Sequence, residues 1–250
     1  MEIVRENKIA IVTGGGSGIG FAIAEKFTKT NITTIIVGRN NEKLADARQK
    51  LGELCFPFSF DLTDLKKIPS LVDDIIKQFG RIDILVNNAG INMKKEFTEV
   101  SDEDFQQILH TNVVSMFALS REVVKVMLKN ENGCIINISS MASQYGLPKV
   151  IAYTASKSAI EGMTRAMASE LSPKGIRVNC IAPGFIATDM SAKALNNDPE
   201  RKQKVLSRTP MGKLGEPLDV GEAAFFLSFD AAKYITGIVL PVDGGNSIGF

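Results

Sequence analysis

The sequence predicts a doubly wound α/β domain, a seven-stranded parallel sheet with helices on both faces. Three observations carry this. Seven short β-branched apolar runs alternate with longer stretches of helical period. The runs are apolar on both faces, as strands buried between two helical layers must be. Strict strand–helix alternation also suits right-handed crossovers between parallel strands.

In chain order the strands are placed at Ile9–Thr13, Thr33–Val37, Cys55–Ser59, Ile84–Asn87, Cys134–Ile138, Ile176–Ile181 and Ile238–Val242. Helical period falls on Gly18–Thr30, Asn41–Leu51, Leu65–Phe79, Asp102–Leu128, Tyr153–Leu171 and Pro217–Phe226. The Ser101-Asp102-Glu103-Asp104 cluster supplies a capping hydroxyl and carboxylates to a helix start. From about Pro183 to Pro217 no period is clear, a length that suits a functional segment better than a plain connection.

Composition narrows the class. With 250 residues, 44% hydrophobic and 23% charged, the chain is ordinary globular material, and one domain over residues 1–250 accommodates it. A formal net charge of +1 provides no general attraction to nucleic acid or anionic lipid, so neither is expected as a partner. No apolar run reaches the roughly 18 residues of a membrane span. The start, Met1 to Glu6, lacks the pattern of a secretory signal, and a cytoplasmic location is expected. Cys55, Cys134 and Cys180 each sit in an apolar run and read as buried core residues. The single histidine, His110, has no second histidine near it, and no metal site is expected.

The first strand runs directly into Thr13-Gly14-Gly15-Gly16-Ser17-Gly18-Ile19-Gly20 and then a helix. Glycines permit a tight turn and close backbone approach, and a helix N-terminus offers unpaired N–H groups to a pyrophosphate. The spacing is Gly14-x-x-x-Gly18-x-Gly20 rather than G-x-G-x-x-G. A Rossmann domain that takes NAD presents an acid to the ribose after its second strand, whereas an arginine accommodates a 2′-phosphate. Here Gly38 and Arg39 follow Val37, so NADP(H) is expected over NAD(H). Further along, Tyr153 and Lys157 stand at i and i+4 at the start of a helix, which places an ammonium near a phenol and favours phenolate. The fifth strand ends Ile138-Ser139-Ser140, at the edge where open α/β sheets bind ligands.

These motifs, with Asp61-Leu62, Asn87-Asn88-Ala89-Gly90, Asn112 and Pro183-Gly184 followed by Thr188, resemble the short-chain dehydrogenase/reductase family over essentially the whole chain. The resemblance implies Tyr153 as general acid and base, Lys157 lowering its pKa and holding the nicotinamide ribose, and Ser140 bonding the substrate carbonyl. Asn112 would support a relay water. The same resemblance puts Gly14, Ser17, Gly18, Ile19 and Gly20 at the pyrophosphate, Asp61 and Leu62 beside the adenine, and Asn88, Ala89 and Gly90 on the adenine ribose side. Ile186 and Thr188, after Pro183 and Gly184, would hold the carboxamide. Three serines compete for the catalytic role, and the family's spacing before the tyrosine selects Ser140. Ser139 and Ser143 are left as strand-end and turn residues.

Two branches of the family come close. Ala182 to Met190 and Tyr234-Ile235-Thr236-Gly237 resemble 3-oxoacyl-(acyl carrier protein) reductases. Asn197 to Arg201, Gly215-Glu216-Pro217 and Val242 to Gly245 are closer to gluconate 5-dehydrogenase-like enzymes of small polyols and sugar acids. Leu147 to Ala152 departs from the first branch, and its usual pair of basic residues for the acidic carrier falls on Glu131 and Lys174. A small carbonyl or alcohol substrate is therefore expected. A non-catalytic dinucleotide-binding protein would be expected to lack one of Ser140, Tyr153 or Lys157, and none is missing. Family members commonly form homotetramers, and small residues such as Ala155, Ser158, Ala159, Gly162 and Ala166 would let the helices of two copies meet.

Overall fold

The computed structural model describes residues 8–188 and 199–249. The sequence motifs reach beyond them at Met1 to Glu6, Asp189-Met190 and Asn197-Asp198, which lie outside the described residues.

Seven parallel strands form one sheet: β1 Ile9–Thr13, β2 Thr33–Gly38, β3 Cys55–Ser59, β4 Ile84–Asn87, β5 Gly133–Ile138, β6 Ile176–Pro183 and β7 Val239–Val242. Their spatial order is β3-β2-β1-β4-β5-β6-β7. The helices are α1 Gly18–Lys29, α2 Asn41–Leu51, α3 Ile68–Phe79, α4 Asp102–Leu109, α5 Ser115–Lys129, α6 Ile151–Leu171, α7 Pro199–Arg208 and α8 Pro217–Ser228.

Alternation along the strands feeds two cores. Ile11, Ile35, Leu85, Ile135 and Val178 point to one face, where Leu71 and Ile75 of α3, Leu119 and Val123 of α5 and Leu171 of α6 cover them. Ala10, Val12, Val86, Ile136 and Ile181 point to the other, against Ile23 and Phe27 of α1 and Val220, Ala224 and Leu227 of α8. Helix α2 adds Leu44 and Ala47 against Ile36 and Cys55. Each side chain of this size contributes about 1.5–3 kcal/mol when removed from water. The three cysteines are buried and free, as their apolar settings suggest.

Three departures from the expected elements have physical causes. The helix expected over Asp102–Leu128 is interrupted by a π-helical turn at His110–Val114. An extra residue per turn there swings Asn112 inward, where it is 1% exposed and hydrogen-bonded. Helix α6 begins at Ile151, two residues before Tyr153, so the tyrosine lies within its first turn. The aperiodic stretch contains α7, whose sequence PERKQKVLSR offers Val205 and Leu206 as its apolar residues, too few to show a period.

Polar groups join the central strands to the helices. Asn87 and Asn137 are register partners on β4 and β5. The Asn87 amide donates to Ser120 Oγ on α5 and to Asn137 Oδ1, both at 2.9 Å. Asn137 donates in turn to Thr164 Oγ1 on α6 at 2.9 Å. All four residues are buried, so an unmatched member leaves a dry polar group. Asn137→Ala is expected to lower unfolding free energy by about 2 kcal/mol, the cost of orphaned buried groups. Urea denaturation checks this, with a shifted midpoint and an unchanged m value.

Candidate active site

The strand order reverses between β1 and β4, and the crevice at their carboxyl ends holds the candidate site. Thr13 ends β1 and its hydroxyl binds across the reversal. It donates to Val86 O at 3.2 Å and accepts from the N–H groups of Asn88 and Ala89 at 2.9 and 3.0 Å. The Asn88 side chain donates to Thr13 O at 2.9 Å, which ties the loop after β4 to the glycine turn. Gly14 has φ of +67°, which opens the turn. Gly20 lies where a Cβ would come within 2.3 Å of Gly14 O, so only glycine lets α1 pack this close to its own entry turn. At the start of α1, Ser17 makes no side-chain cap and no acidic residue occupies the first turn. The helix therefore keeps its first N–H groups and its positive end for an anionic ligand.

Arg39, Asp61 and Leu62 gather at the carboxyl ends of β2 and β3 and do not line the cavity that holds the glycine turn. Arg39 Nη1 is 3.7 Å from Asp61 Oδ2, and both side chains are well exposed. Asp61 Oδ1 accepts from Thr63 N at 2.9 Å and Thr63 Oγ1 at 2.7 Å. These bonds from Thr63, ahead of the nearby Arg39 charge, hold the Asp61 carboxyl below its usual range. Lys43, on α2, lines the cavity next to the glycine turn. No motif marks it in the sequence, although it sits in the first turn of a helix whose Asn40 cap fixes it there.

On the other side of the crevice, β5 delivers Ser140 and α6 delivers Tyr153 and Lys157. Ser140 caps the turn that follows it, accepting from Ala142 N at 3.1 Å. Its hydroxyl stands beside the Tyr153 phenol. Lys157 is 4% exposed and donates to Ile138 O at 2.8 Å, with Nζ 5.5 Å from the centre of the Tyr153 ring. Burial pushes Lys157 down to about 8. Burial raises the Tyr153 phenol above its ordinary value, with the Ser140 hydrogen bond opposing, so the net direction is opposite to the lowering expected from Lys157. Desolvation of the phenolate is the larger of the two causes. Asn112 does not reach the cavity wall. Its Oδ1 accepts from Ile91 N at 2.8 Å and its amide donates to Ile91 O and Ser156 Oγ, which fixes the loop after β4 beside Lys157.

Ser139 and Ser143 do more than bond local backbone. Both hydroxyls donate to Glu161 Oε1, Ser139 at 2.9 Å. Ser143 also lies 2.6 Å from Ser140 O. Glu161 is a buried carboxylate four residues beyond Lys157 on the same face of α6, and it ties down both neighbours of Ser140. The signal available in the sequence was a carboxylate eight residues after Tyr153, on a face otherwise small or apolar.

The cavity enclosed by these elements measures about 1030 Å³. Gly14, Ser17, Gly18 and Ile19 form one wall with Asn88, Ala89 and Gly90, and Ser140, Tyr153 and Lys157 form the other with Pro183, Gly184, Ile186 and Thr188. Ile186 bridges to Gly215, and Thr188 lies against Gly18, so the segment after β6 crosses the crevice. Asn92, Ala142, Leu147, Val150 and Phe185 complete the wall near Ser140.

Comparison with known proteins agrees with this geometry. Residues 14–247 match the family model described as enoyl-(acyl carrier protein) reductase. The chain is 40% identical over 251 residues to 3α-hydroxysteroid dehydrogenase of Mediterraneibacter gnavus, covering 98% of each. It is 41% identical over 243 residues to the 3-oxoacyl-(acyl carrier protein) reductase of Chlamydia trachomatis, covering 96% of this chain and 97% of that protein. Among solved structures, one assigned as a gluconate dehydrogenase from Agrobacterium tumefaciens superposes with TM-score 0.94 at 35% identity, over 97% of each chain.

The chain belongs to the short-chain dehydrogenase/reductase family. Membership makes it an oxidoreductase of CH–OH and carbonyl groups with a nicotinamide dinucleotide cofactor. The residues present fit that cofactor: an uncapped helix N-terminus, a glycine turn and a cavity that runs from Gly14 to Lys157. One comparison drawn from the family needs correction. Glu131 and Lys174 precede β5 and β6, at the amino edge of the sheet, so neither stands at the mouth of this chain's own crevice.

The depressed Lys157 pKa has a stability consequence. The folded chain releases this proton near pH 8, whereas the unfolded chain keeps it to about 10.5, so stability rises with pH across that window. The full effect is on the order of 3 kcal/mol. Lys157→Met should abolish it. The difference in unfolding free energy between variant and wild type, measured from pH 7 to 10, is expected to shrink as pH rises; a constant difference would contradict the assignment.

Proposed function

We propose that this enzyme uses NADP(H) to interconvert a secondary alcohol and a carbonyl on a small polyol, sugar acid or keto compound. The observation that carries this is the convergence of Ser140, Tyr153 and Lys157 on one cavity whose far wall is the uncapped start of α1. The cofactor, when bound, supplies or accepts the hydride.

The chain's own residues do the rest. Tyr153, raised by burial, keeps its phenolic proton at neutral pH, the form that donates to a carbonyl oxygen during reduction. Ser140 offers a second hydroxyl to the same oxygen, where negative charge develops. Lys157 spends one ammonium proton on Ile138 O and has two for a ribose and for proton transfer to Tyr153. Asn112, by fixing Ile91, would steady the relay water beside Lys157. Gly14, Ser17, Gly18, Ile19 and Gly20 would take the pyrophosphate, Asp61 and Leu62 the adenine, and Ala89 and Gly90 the adjoining ribose, with Asn88 holding the turn. Pro183, Gly184, Ile186 and Thr188 would hold the carboxamide. Arg39 at the end of β2, together with Lys43 on the cavity wall, supports a 2′-phosphate and hence NADP(H), although a related xylitol dehydrogenase, 30% identical, was solved with NAD+.

The likeness to the gluconate dehydrogenase structure supports a small substrate. The apolar wall of Ala142, Leu147, Val150 and Phe185 favours, within that class, keto compounds with an apolar portion. That wall, together with the 41% identical relative, also supports a second reading, 3-oxoacyl-(acyl carrier protein) reductase. A non-catalytic dinucleotide-binding role has no such support, since Ser140, Tyr153 and Lys157 are all present and line one cavity. We take residues 1–250 as one domain with substrate selection in residues 183–217, working in the cytoplasm as a homotetramer. Exposed Val114, Phe117 and Leu128 on and before α5 support association.

NADPH consumption with 5-ketogluconate, related keto-sugars, a 3-ketosteroid and an acetoacetyl thioester tests the substrate class side by side. Turnover of the thioester alone would replace the small-substrate reading with the second. Tyr153→Phe should cut kcat by on the order of a hundred- to ten-thousand-fold while NADPH affinity holds. Near-normal turnover by that variant would sink the mechanism. Arg39→Asp should lower the ratio of NADP to NAD efficiency by about tenfold or more, the loss of a charge-assisted bond; an unchanged ratio would refute the NADP(H) assignment.

A further inference from the structure

The turn after β7 lies against α7 and against the loop that starts at Ser140, whose Ala142, Leu147 and Val150 line the cavity. Beyond β7, the Asp243 carboxylate accepts from Gly245 N at 2.9 Å and Ser247 N at 2.7 Å, folding the tail back on itself. Met211 N donates to Gly244 O at 3.1 Å, which seats the turn at the end of α7.

Asn246 stands at the centre of this turn and is 1% exposed. Its amide nitrogen donates to Thr209 Oγ1 at 2.9 Å and to Val205 O at 3.3 Å, both at the α7 side. Its Oδ1 accepts from the Tyr145 hydroxyl at 2.9 Å. Its main-chain oxygen accepts from Arg208 Nε at 3.1 Å, and the Arg208 guanidinium lies 4.9 Å from the centre of the Tyr145 ring. Tyr145 belongs to the loop that starts at Ser140, five residues on. One buried amide thus uses both its protons and its oxygen to join that loop to α7. In a dry setting each of these bonds is costly to leave unmade, and an isosteric apolar residue makes none of them.

We infer that Asn246 is a positioning residue: through Tyr145 it couples the Ser140 loop to α7, so the C-terminal turn sets the shape of the substrate end of the cavity. This rests on Ser140 and Tyr153 being the catalytic pair, but the coupling itself is measurable without turnover. Neither Asn246 nor Tyr145 lines the cavity, so the effect passes through the loop and not through contact with substrate.

Hydrogen exchange by mass spectrometry on the full chain, wild type against Asn246→Ala and Tyr145→Phe, tests the coupling. Both variants should speed exchange about tenfold in residues 141–150 and 199–208 together, while residues 9–29 keep wild-type rates. Tyr145→Phe removes one hydroxyl and keeps the ring, so it decides the matter if Asn246→Ala fails to fold. Acceleration confined to 199–208, with 141–150 unchanged, would overturn the inference and leave Asn246 as a local support of α7. A second readout is the acetoacetyl thioester or whichever carbonyl of the panel is turned over. There, Tyr145→Phe should raise KM for the carbonyl several-fold with NADPH affinity intact. An equal loss of NADPH affinity would also count against it. Coupled exchange in a chain that reduces none of these carbonyls would sink the functional reading and leave the coupling standing.

Discussion

Between β1 and β4 the strand order reverses, and the crossovers on either side leave in opposite directions. No connection covers the carboxyl ends there, which is why the crevice exists at all. Thr13 keeps it in shape. Its hydroxyl sits at the end of β1 and bonds three groups of β4 and the loop after it, so the glycine turn and the Asn88–Gly90 loop cannot separate independently. The close approach of α1 at Gly20, the uncapped N–H groups beyond Ser17 and the position of Gly90 against Asn112 all follow from that junction.

The catalytic half is organised by a second constraint, the satisfaction of polar groups in dry surroundings. Helix α6 buries Ser156, Lys157, Glu161 and Thr164 along one face, an unusual load for a helix packed on a sheet. Each finds a partner: Ser156 on Asn112, Lys157 on Ile138 O, Glu161 on Ser139 and Ser143, Thr164 on Asn137. The bonds run to β5, to the loop after it and to the π-helical turn. They hold Ser140 and Tyr153 from three directions. The same dryness sets the chemistry, since it raises Tyr153, lowers Lys157, and with the Glu161 charge pushes the neighbouring Cys180 thiol up to about 12. Cys180 is thereby an inert packing residue, in keeping with its apolar run.

Much of the fold was legible because parallel strands buried on both faces leave an apolar run that few other structures produce. Each of the seven strands was located to within a residue or two. What escaped notice were elements whose stabilisation comes from elsewhere. Helix α7 is half charged and Val205 is its buried apolar residue, so its period is hidden. The π-helical turn has no local signal beyond an asparagine in mid-helix, because the bonds that favour it reach Ile91 and Ser156 far along the chain. In the site, the glycine spacing and Tyr153-x-x-x-Lys157 are local patterns and could be read directly. Glu161 and Asn246 could not, since neither has its side-chain partners within ten residues of itself.

By itself the sequence determined the strand–helix alternation, the glycine turn, the arginine after β2 and the order of the motifs that mark the family. All of these are expressed over a few residues, through periodicity, backbone freedom or helix-face spacing. Only the tertiary structure decided how protons are held. Burial is a property of the assembled layers, and it reversed the expected direction of the Tyr153 shift, which a helical i,i+4 pairing alone had pointed the other way. It also moved Glu131 and Lys174 to the far edge of the sheet and turned two apparently local serines into partners of a buried carboxylate. Charge and desolvation act through space, so the groups that tune one another are neighbours only after the chain has folded.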